Sequence, residues 1–60
     1  MITFVEEQDG WRGLGHRGRQ WQITAVKTGW RLQFVDIGDT TPVNAGIFGT
    51  LAAAQADAGP

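Results

Sequence analysis

Two segments with the same alternating pattern, joined by a short turn, constrain the fold of this 60-residue chain more than any other feature. Residues 21–25 (WQITA) and 30–34 (WRLQF) place an apolar side chain at every second position, the period of a β-strand with one buried face. Residues 27–29 (KTG) have the composition of a tight turn. With the last two of them as the loop, Ile23 faces Phe34 and the apolar positions of both strands coincide. The pattern predicts an antiparallel hairpin with one core face and one polar face.

A second turn signal, Asp9-Gly10, follows the β-forming residues 2–8. This dipeptide favours a two-residue hairpin loop because both residues tolerate positive φ. The resulting register places Glu7 opposite Arg12, an opposite-charge cross-strand pair. The sequence leaves open whether residues 2–8 join the main sheet.

The C-terminal third of the chain predicts one more strand and a helix. Residues 36–42 are turn-rich, and residues 43–48 have the composition of a short strand. Thr50 is a natural N-cap for an alanine-rich helix over residues 51–58, which a Gly-Pro pair ends. A helix this short needs tertiary packing to be stable. Three- and four-residue spacing assigns its contact face to Leu51, Ala54 and Ala58.

Together these elements predict an α+β fold in a single domain spanning residues 1–60: an antiparallel meander of three to five strands with one short C-terminal helix packed on one face. A domain of this size buries only about 60% of the surface that its unfolded chain exposes. Large aromatic side chains are therefore needed in the core, and Trp21 and Trp30 lie on its predicted face. Trp11, at the end of the first hairpin, either caps the core or stands exposed.

The residue types that the chain lacks exclude several kinds of chemistry. It has no Cys, Ser or Tyr, and His16 is its one histidine, so disulfides, thiolate metal sites and serine or cysteine nucleophiles are ruled out. We expect neither enzymatic activity nor a cofactor or metal. The first residues lack the basic start of a signal peptide, and no apolar run has membrane-spanning length. The expected location is the cytoplasm.

Charge is strongly segregated along the chain. Residues 10–35 contain all three tryptophans and every Lys and Arg but no acid, which gives this stretch a formal charge of +5 within a chain of net charge -1. The six acids all lie outside it. Such segregation indicates a basic binding surface. The cations are Arg12, Arg17, Arg19, Lys27 and Arg31.

Within this stretch, residues 13–18 (GLGHRG) match the spacing G-x-G-x-x-G of dinucleotide-binding loops. A strand pattern follows them instead of the required helix, and the chain is too short for a βαβ unit. We therefore interpret the segment as a basic loop, in which His16 contributes a hydrogen bond.

Two groups of residues carry a resemblance to a known family. Residues 11–14 (WRGL), then Arg17 and residues 20–23 (QWQI), resemble the opening strand, basic turn and second strand of the ethylene-responsive-factor class of plant DNA-binding domains. Relatives of that class occur in phage-type integrases and homing endonucleases. Residues 46–54 (GIFGTLAAA) are similar to the family's third-strand exit and alanine-rich helix.

The resemblance implies a three-stranded sheet in the major groove of DNA, with the helix bracing the rear. It implies DNA contacts from Arg12 and Arg17. Either residues 30–35 or residues 43–48 correspond to the family's third strand, and only the former include Arg31. The outward residues of the second strand would be Gln20, Gln22 and Thr24.

The sequence therefore predicts a small non-enzymatic module that binds duplex DNA through the basic outer face of its sheet and a Gly/Arg loop. The alternative is a phage- or bacterium-encoded accessory protein that binds a protein partner or itself, as a homodimer, through a sheet edge or a tryptophan-bearing face. Neither interpretation involves a membrane or a small-molecule substrate. The predicted DNA contacts are Arg12, Arg17, Arg19, Gln20, Gln22, Thr24, Lys27, Arg31 and Gln33.

Overall fold

Five antiparallel strands in chain order form one sheet, and a short helix packs on it, in a computed structural model that describes residues 2–59. The predicted α+β meander with a C-terminal helix is confirmed. Residues from the N-terminal segment do join the sheet, as its first edge strand. The elements are β1 (Phe4–Glu7), β2 (Gly10–Leu14), a 3₁₀ turn (His16–Gly18), β3 (Gln20–Val26), β4 (Gly29–Val35), β5 (Val43–Phe48) and α1 (Leu51–Asp57).

Both hairpins have a register two residues away from the predicted one. Glu7 faces Gly10 in the first hairpin, and Val26 faces Gly29 in the second. Each glycine is therefore the first residue of a strand, and the loops consist of the two residues before it. A shift of two positions keeps every side chain on its predicted face, because strand side chains alternate with a period of two. The predicted faces are correct although the predicted pairs are wrong.

Close approach of a neighbouring strand explains why these glycines lie in strands. Gly10 has a φ of 145° and Gly29 a φ of 147°, a region that L side chains rarely adopt. A Cβ added to Gly10 would overlap the carbonyl oxygen of Ile23, and one added to Gly29 would overlap that of Phe48. Both positions therefore require glycine on steric and on conformational grounds.

The core lies between α1 and one face of the sheet. Ile23 and Leu32 are completely buried, and each contributes about 1.5–3 kcal/mol relative to an exposed side chain. The Trp21 ring packs against the Phe34 ring with centroids 5.0 Å apart. All three tryptophans contact this core, Trp21 as a buried member and the other two as partly buried neighbours.

The helix is positioned as the sequence predicts. Thr50 accepts a hydrogen bond from the Ala53 amide at 3.1 Å through its side-chain oxygen, which caps the helix N-terminus. Ala54 and Ala58 are buried against the sheet, and Leu51 is partly buried beside them. The small side chains of the two alanines let the helix approach the sheet closely. Within residues 2–59, no helix is long and apolar enough to cross a membrane.

The last strand contains an irregularity that modifies its free edge. Leu32 faces Gly46 and Gln33 faces Asn44, so Ala45 is an extra residue in β5. The Asn44 side chain accepts a hydrogen bond from the Gly46 amide at 3.3 Å. Bulges of this kind discourage pairing with another strand. The bulge therefore makes the β5 edge less suited to pairing with another strand.

Candidate nucleic-acid interface

The sheet face opposite α1 brings together six of the nine predicted contact residues. Arg12 faces Gln22 across β2 and β3, and Gln22 faces Gln33 across β3 and β4. Thr24 faces Arg31 in the next row. These residues alternate with the buried Trp21, Ile23 and Leu32, so they point away from the helix. We call this surface, formed by Arg12, Gln20, Gln22, Thr24, Arg31 and Gln33, the open face.

The open face carries one arginine on β2 and one on β4. β3 and β4 contain no acidic residue. Arg12 forms an ion pair with Glu7, whose carboxylate oxygen lies 3.2 Å from the arginine Nε. Both side chains are about half exposed, at 57% and 44%. Such surface pairs contribute about 0–1 kcal/mol, so an anionic ligand can compete for this guanidinium.

Arg31 lies between Thr24 on β3 and Ile47 on β5. Its Nε is buried and has no hydrogen-bond partner among residues 2–59. The side chain as a whole is only partly buried. A buried donor without a partner costs about 1–3 kcal/mol, and this cost accompanies the placement of Arg31 between its two neighbouring strands.

Arg19 lies on the helix side of the sheet, away from the open face. It donates hydrogen bonds to both carboxylate oxygens of Asp36, from Nε at 2.6 Å and from Nη2 at 3.2 Å. Its guanidinium carbon also lies 3.9 Å from the centroid of the Phe34 ring. The observed register explains this pair, because Arg19 and Asp36 lie one position beyond the facing residues Gln20 and Val35.

The other two predicted cations lie at the ends of the sheet. Arg17 belongs to the 3₁₀ turn, which backbone hydrogen bonds close from Gly15 N–H to Arg19 C=O and from Arg19 N–H to His16 C=O. Lys27 is exposed in the loop between β3 and β4. The segment that is continuous and basic in the sequence is therefore divided in the fold among the open face, the helix side of the sheet and the two opposite ends of the sheet.

Sequence reasoning missed three exposed apolar residues on the same side of the sheet, next to the open face. Val5 faces Arg12, Leu14 faces Gln20, and Ile47 faces Arg31. The exposed fractions of the three apolar side chains are 63%, 69% and 48%. Alternation within β2 could have revealed Leu14, since it lies two residues from Arg12 and shares its face. The surface is therefore mixed, with amides and guanidinium groups between exposed aliphatic groups.

Comparisons with known proteins add no assignment, because no family model, curated protein or solved structure matches the chain. Residues 2–59 contain no group of three or more His, Cys, Asp or Glu side chains arranged to hold a metal ion.

Proposed function

We propose that this protein is a small, non-enzymatic module that binds duplex DNA through the open face. One observation carries the proposal: two arginines, three glutamines and a threonine gather on the sheet face opposite the helix, and strands β3 and β4 of that face carry no acid. Arginine pairs with guanine and glutamine with adenine through two hydrogen bonds each, so both groups suit the reading of base edges.

The dimensions of the open face fit the proposed ligand. Neighbouring strands lie about 4.8 Å apart, so β2 and β4 are separated by roughly 10 Å. The major groove of B-DNA is about 12 Å wide. β2, β3 and β4 can therefore face the groove with their outward side chains toward the bases, while α1 packs on the other side of the sheet. β1 and β5 widen the sheet to roughly 19 Å and would lie beside the phosphate backbones.

The charge of the open face sets the expected salt dependence. Arg12 and Arg31, with Lys27 at the end of the hairpin, can neutralise about two or three phosphates, which gives a slope of about -1.8 to -2.7 in log affinity against log salt. Raising NaCl from 50 to 200 mM should weaken binding by about 10- to 40-fold. Fluorescence anisotropy with a labelled 20-base-pair duplex measures this change.

Two variants with the same charge change test the location of the interface. Arg31→Gln removes a cation from the open face, and Arg17→Gln removes one from the 3₁₀ turn. We expect Arg31→Gln to lower both the affinity and the salt slope, the latter by about 0.9, and Arg17→Gln to change them much less. Equal effects, or the absence of binding by the unaltered protein at 50 mM NaCl, would exclude the open face as a DNA-binding surface.

Self-association through the same face is a second candidate, favoured by the exposed Val5, Leu14 and Ile47. Val5 and Leu14 lie on the neighbouring strands β1 and β2, and Ile47 lies apart from them on β5. Exposed apolar surface often marks an interface between proteins. Sedimentation velocity at 10 and 500 μM should then show a concentration-dependent dimer, which Leu14→Gln weakens and Arg31→Gln does not. A species that stays monomeric at both concentrations would eliminate this candidate.

A further inference from the structure

A cleft lies on the helix side of the sheet, separate from the open face. It has a volume of about 550 Å³ and lies between the 3₁₀ turn, the segment after β4 and the C-terminal end of α1. This volume is within the range of small-molecule sites, about 300–1,000 Å³. Its walls combine apolar groups, among them Trp21 and Ile37, with the basic side chains of Arg17 and Arg19.

Arg19 is held in place by contacts on two sides. Asp36 accepts hydrogen bonds from its Nε and one terminal nitrogen, and the guanidinium also lies over the ring of Phe34. An arginine has five N–H donors, so several remain after these two hydrogen bonds. A positioned guanidinium with donors to spare loses little side-chain entropy when it binds a further oxyanion.

Arg17 supplies a second cation in an unusual backbone conformation. With φ 59° and ψ 32° it is left-handed, and among residues 2–59 it is the one residue other than glycine with a positive φ. This conformation costs a residue with a Cβ roughly 1–2 kcal/mol, and such outliers are concentrated at functional sites. Asparagine would adopt it at lower cost. An arginine here therefore has no local conformational advantage.

We infer that this cleft binds a small organic oxyanion, in which a carboxylate or phosphate group contacts Arg17 and Arg19 while an apolar body packs against Trp21 and Ile37. Asp36 is the acid that lines the cleft, and its two oxygens are already engaged by Arg19. The site thus offers positive charge on one rim and an apolar wall on the other. Neither the open face nor DNA binding is needed for this inference.

The test is an NMR titration that follows the Trp21 indole N–H of the ¹⁵N-labelled protein. Phenyl phosphate and benzoate are the probes, and they separate a phosphate head from a carboxylate head. Inorganic phosphate and benzyl alcohol control for the head and the body alone. We expect saturable shifts with at least one probe and at least about 10-fold weaker binding of both controls, since each lacks one half of the recognition.

Two variants of Arg17 separate binding from stability. Arg17→Asn should keep or raise the urea midpoint, because asparagine tolerates the left-handed conformation, yet weaken probe binding by about 10-fold. Arg17→Lys retains the charge and should bind within about 3-fold of the unaltered protein. Arg31→Gln, on the opposite face, should leave probe binding unchanged. Unchanged affinity in Arg17→Asn, a marked fall in its urea midpoint, or no saturable shift with either probe would overturn the inference.

Discussion

Replacing Gly29 with alanine tests the steric basis of the hairpin register. The new Cβ would lie far inside the 3.0 Å limit that real Cβ contacts respect, against the backbone carbonyl of Phe48. Because that atom belongs to a strand and not to a flexible side chain, β4 and β5 would have to separate where Trp30 faces Phe48. Losing one or two hydrogen bonds costs about 1–2 kcal/mol. The φ of 147°, in a region that is essentially restricted to glycine, adds about 1–2 kcal/mol.

Together, the lost hydrogen bonds and the unfavourable φ should lower the free energy of unfolding by about 2–4 kcal/mol, which is large for this chain. A 60-residue domain has a free energy of unfolding of roughly 3–9 kcal/mol. With a urea m-value of about 1 kcal/mol/M, Gly29→Ala should lower the denaturation midpoint by about 2–4 M, measured by tryptophan fluorescence. An unchanged m-value would show that the loss is in stability and not in cooperativity.

Two other glycines provide matched controls. Gly38 has a φ of 88° with no atom within 4 Å of an added Cβ, so Gly38→Ala carries the conformational cost alone. Gly49 has an equally open Cβ position without a positive φ, so Gly49→Ala should be neutral or stabilising by up to about 1 kcal/mol. A midpoint for Gly29→Ala equal to that for Gly38→Ala would refute the argument from close strand approach.

Three further substitutions address the core, the helix cap and the ion pair between Arg19 and Asp36. Leu32→Ala should lower the free energy of unfolding, measured by urea denaturation, by about 2–5 kcal/mol because the side chain is fully buried. Leu32→Met should lower it by less than about 1.5 kcal/mol. Similar losses in the two variants would contradict tight packing around Leu32. Thr50→Ala should lower the free energy of unfolding by about 1 kcal/mol, because the hydrogen bond from the Ala53 amide is lost. Thr50→Ser keeps the hydroxyl and should keep most of this stability. An equal loss in both variants would argue against capping by the side chain. Asp36→Asn should lower the free energy of unfolding by at most about 1 kcal/mol at low salt, since the Asp36 and Arg19 side chains are 43% and 36% exposed. A difference in melting temperature that persists in 1 M NaCl would contradict an electrostatic origin.

Periodicity predicted the elements and their faces well. Alternation in β3 and β4 identified the core face, and the step from strand to Thr50 to an alanine-rich run located the helix within one residue of its observed end. These features are local, because each depends on the spacing of side chains within one element. Local patterns therefore sufficed for the fold class.

The exact pairing could not be predicted from turn composition. Glycine favours hairpin loops, and that preference placed Gly10 and Gly29 at the loop tips. Their observed positions depend on the carbonyls of Ile23 and Phe48, which lie on the next strand along in each case. That information becomes accessible only when three strands are assembled, so an argument from single hairpins misses it.

The same two-residue error concealed part of the site. With the predicted register Trp21 faces Asp36, whereas the observed register brings Asp36 to Arg19. The basic stretch does not become one basic surface for a different reason: strand alternation places Arg19 on the same side of the sheet as Trp21, opposite Arg12 and Arg31. Arg12 and Arg31 lie on the open face, while Arg19 is engaged on the other side of the sheet.

The order of strands in the sheet is also their order in the chain. Every strand therefore pairs only with the strands next to it in sequence, and each new pairing closes a loop of a few residues, apart from the longer segment before β5. Short loop closures favour rapid formation of native contacts, so this small all-antiparallel sheet should reach its native state faster than sandwiches and barrels of similar size. Assembly can start at the β3–β4 hairpin and spread outward in both directions, with the helix docking once its sheet face exists.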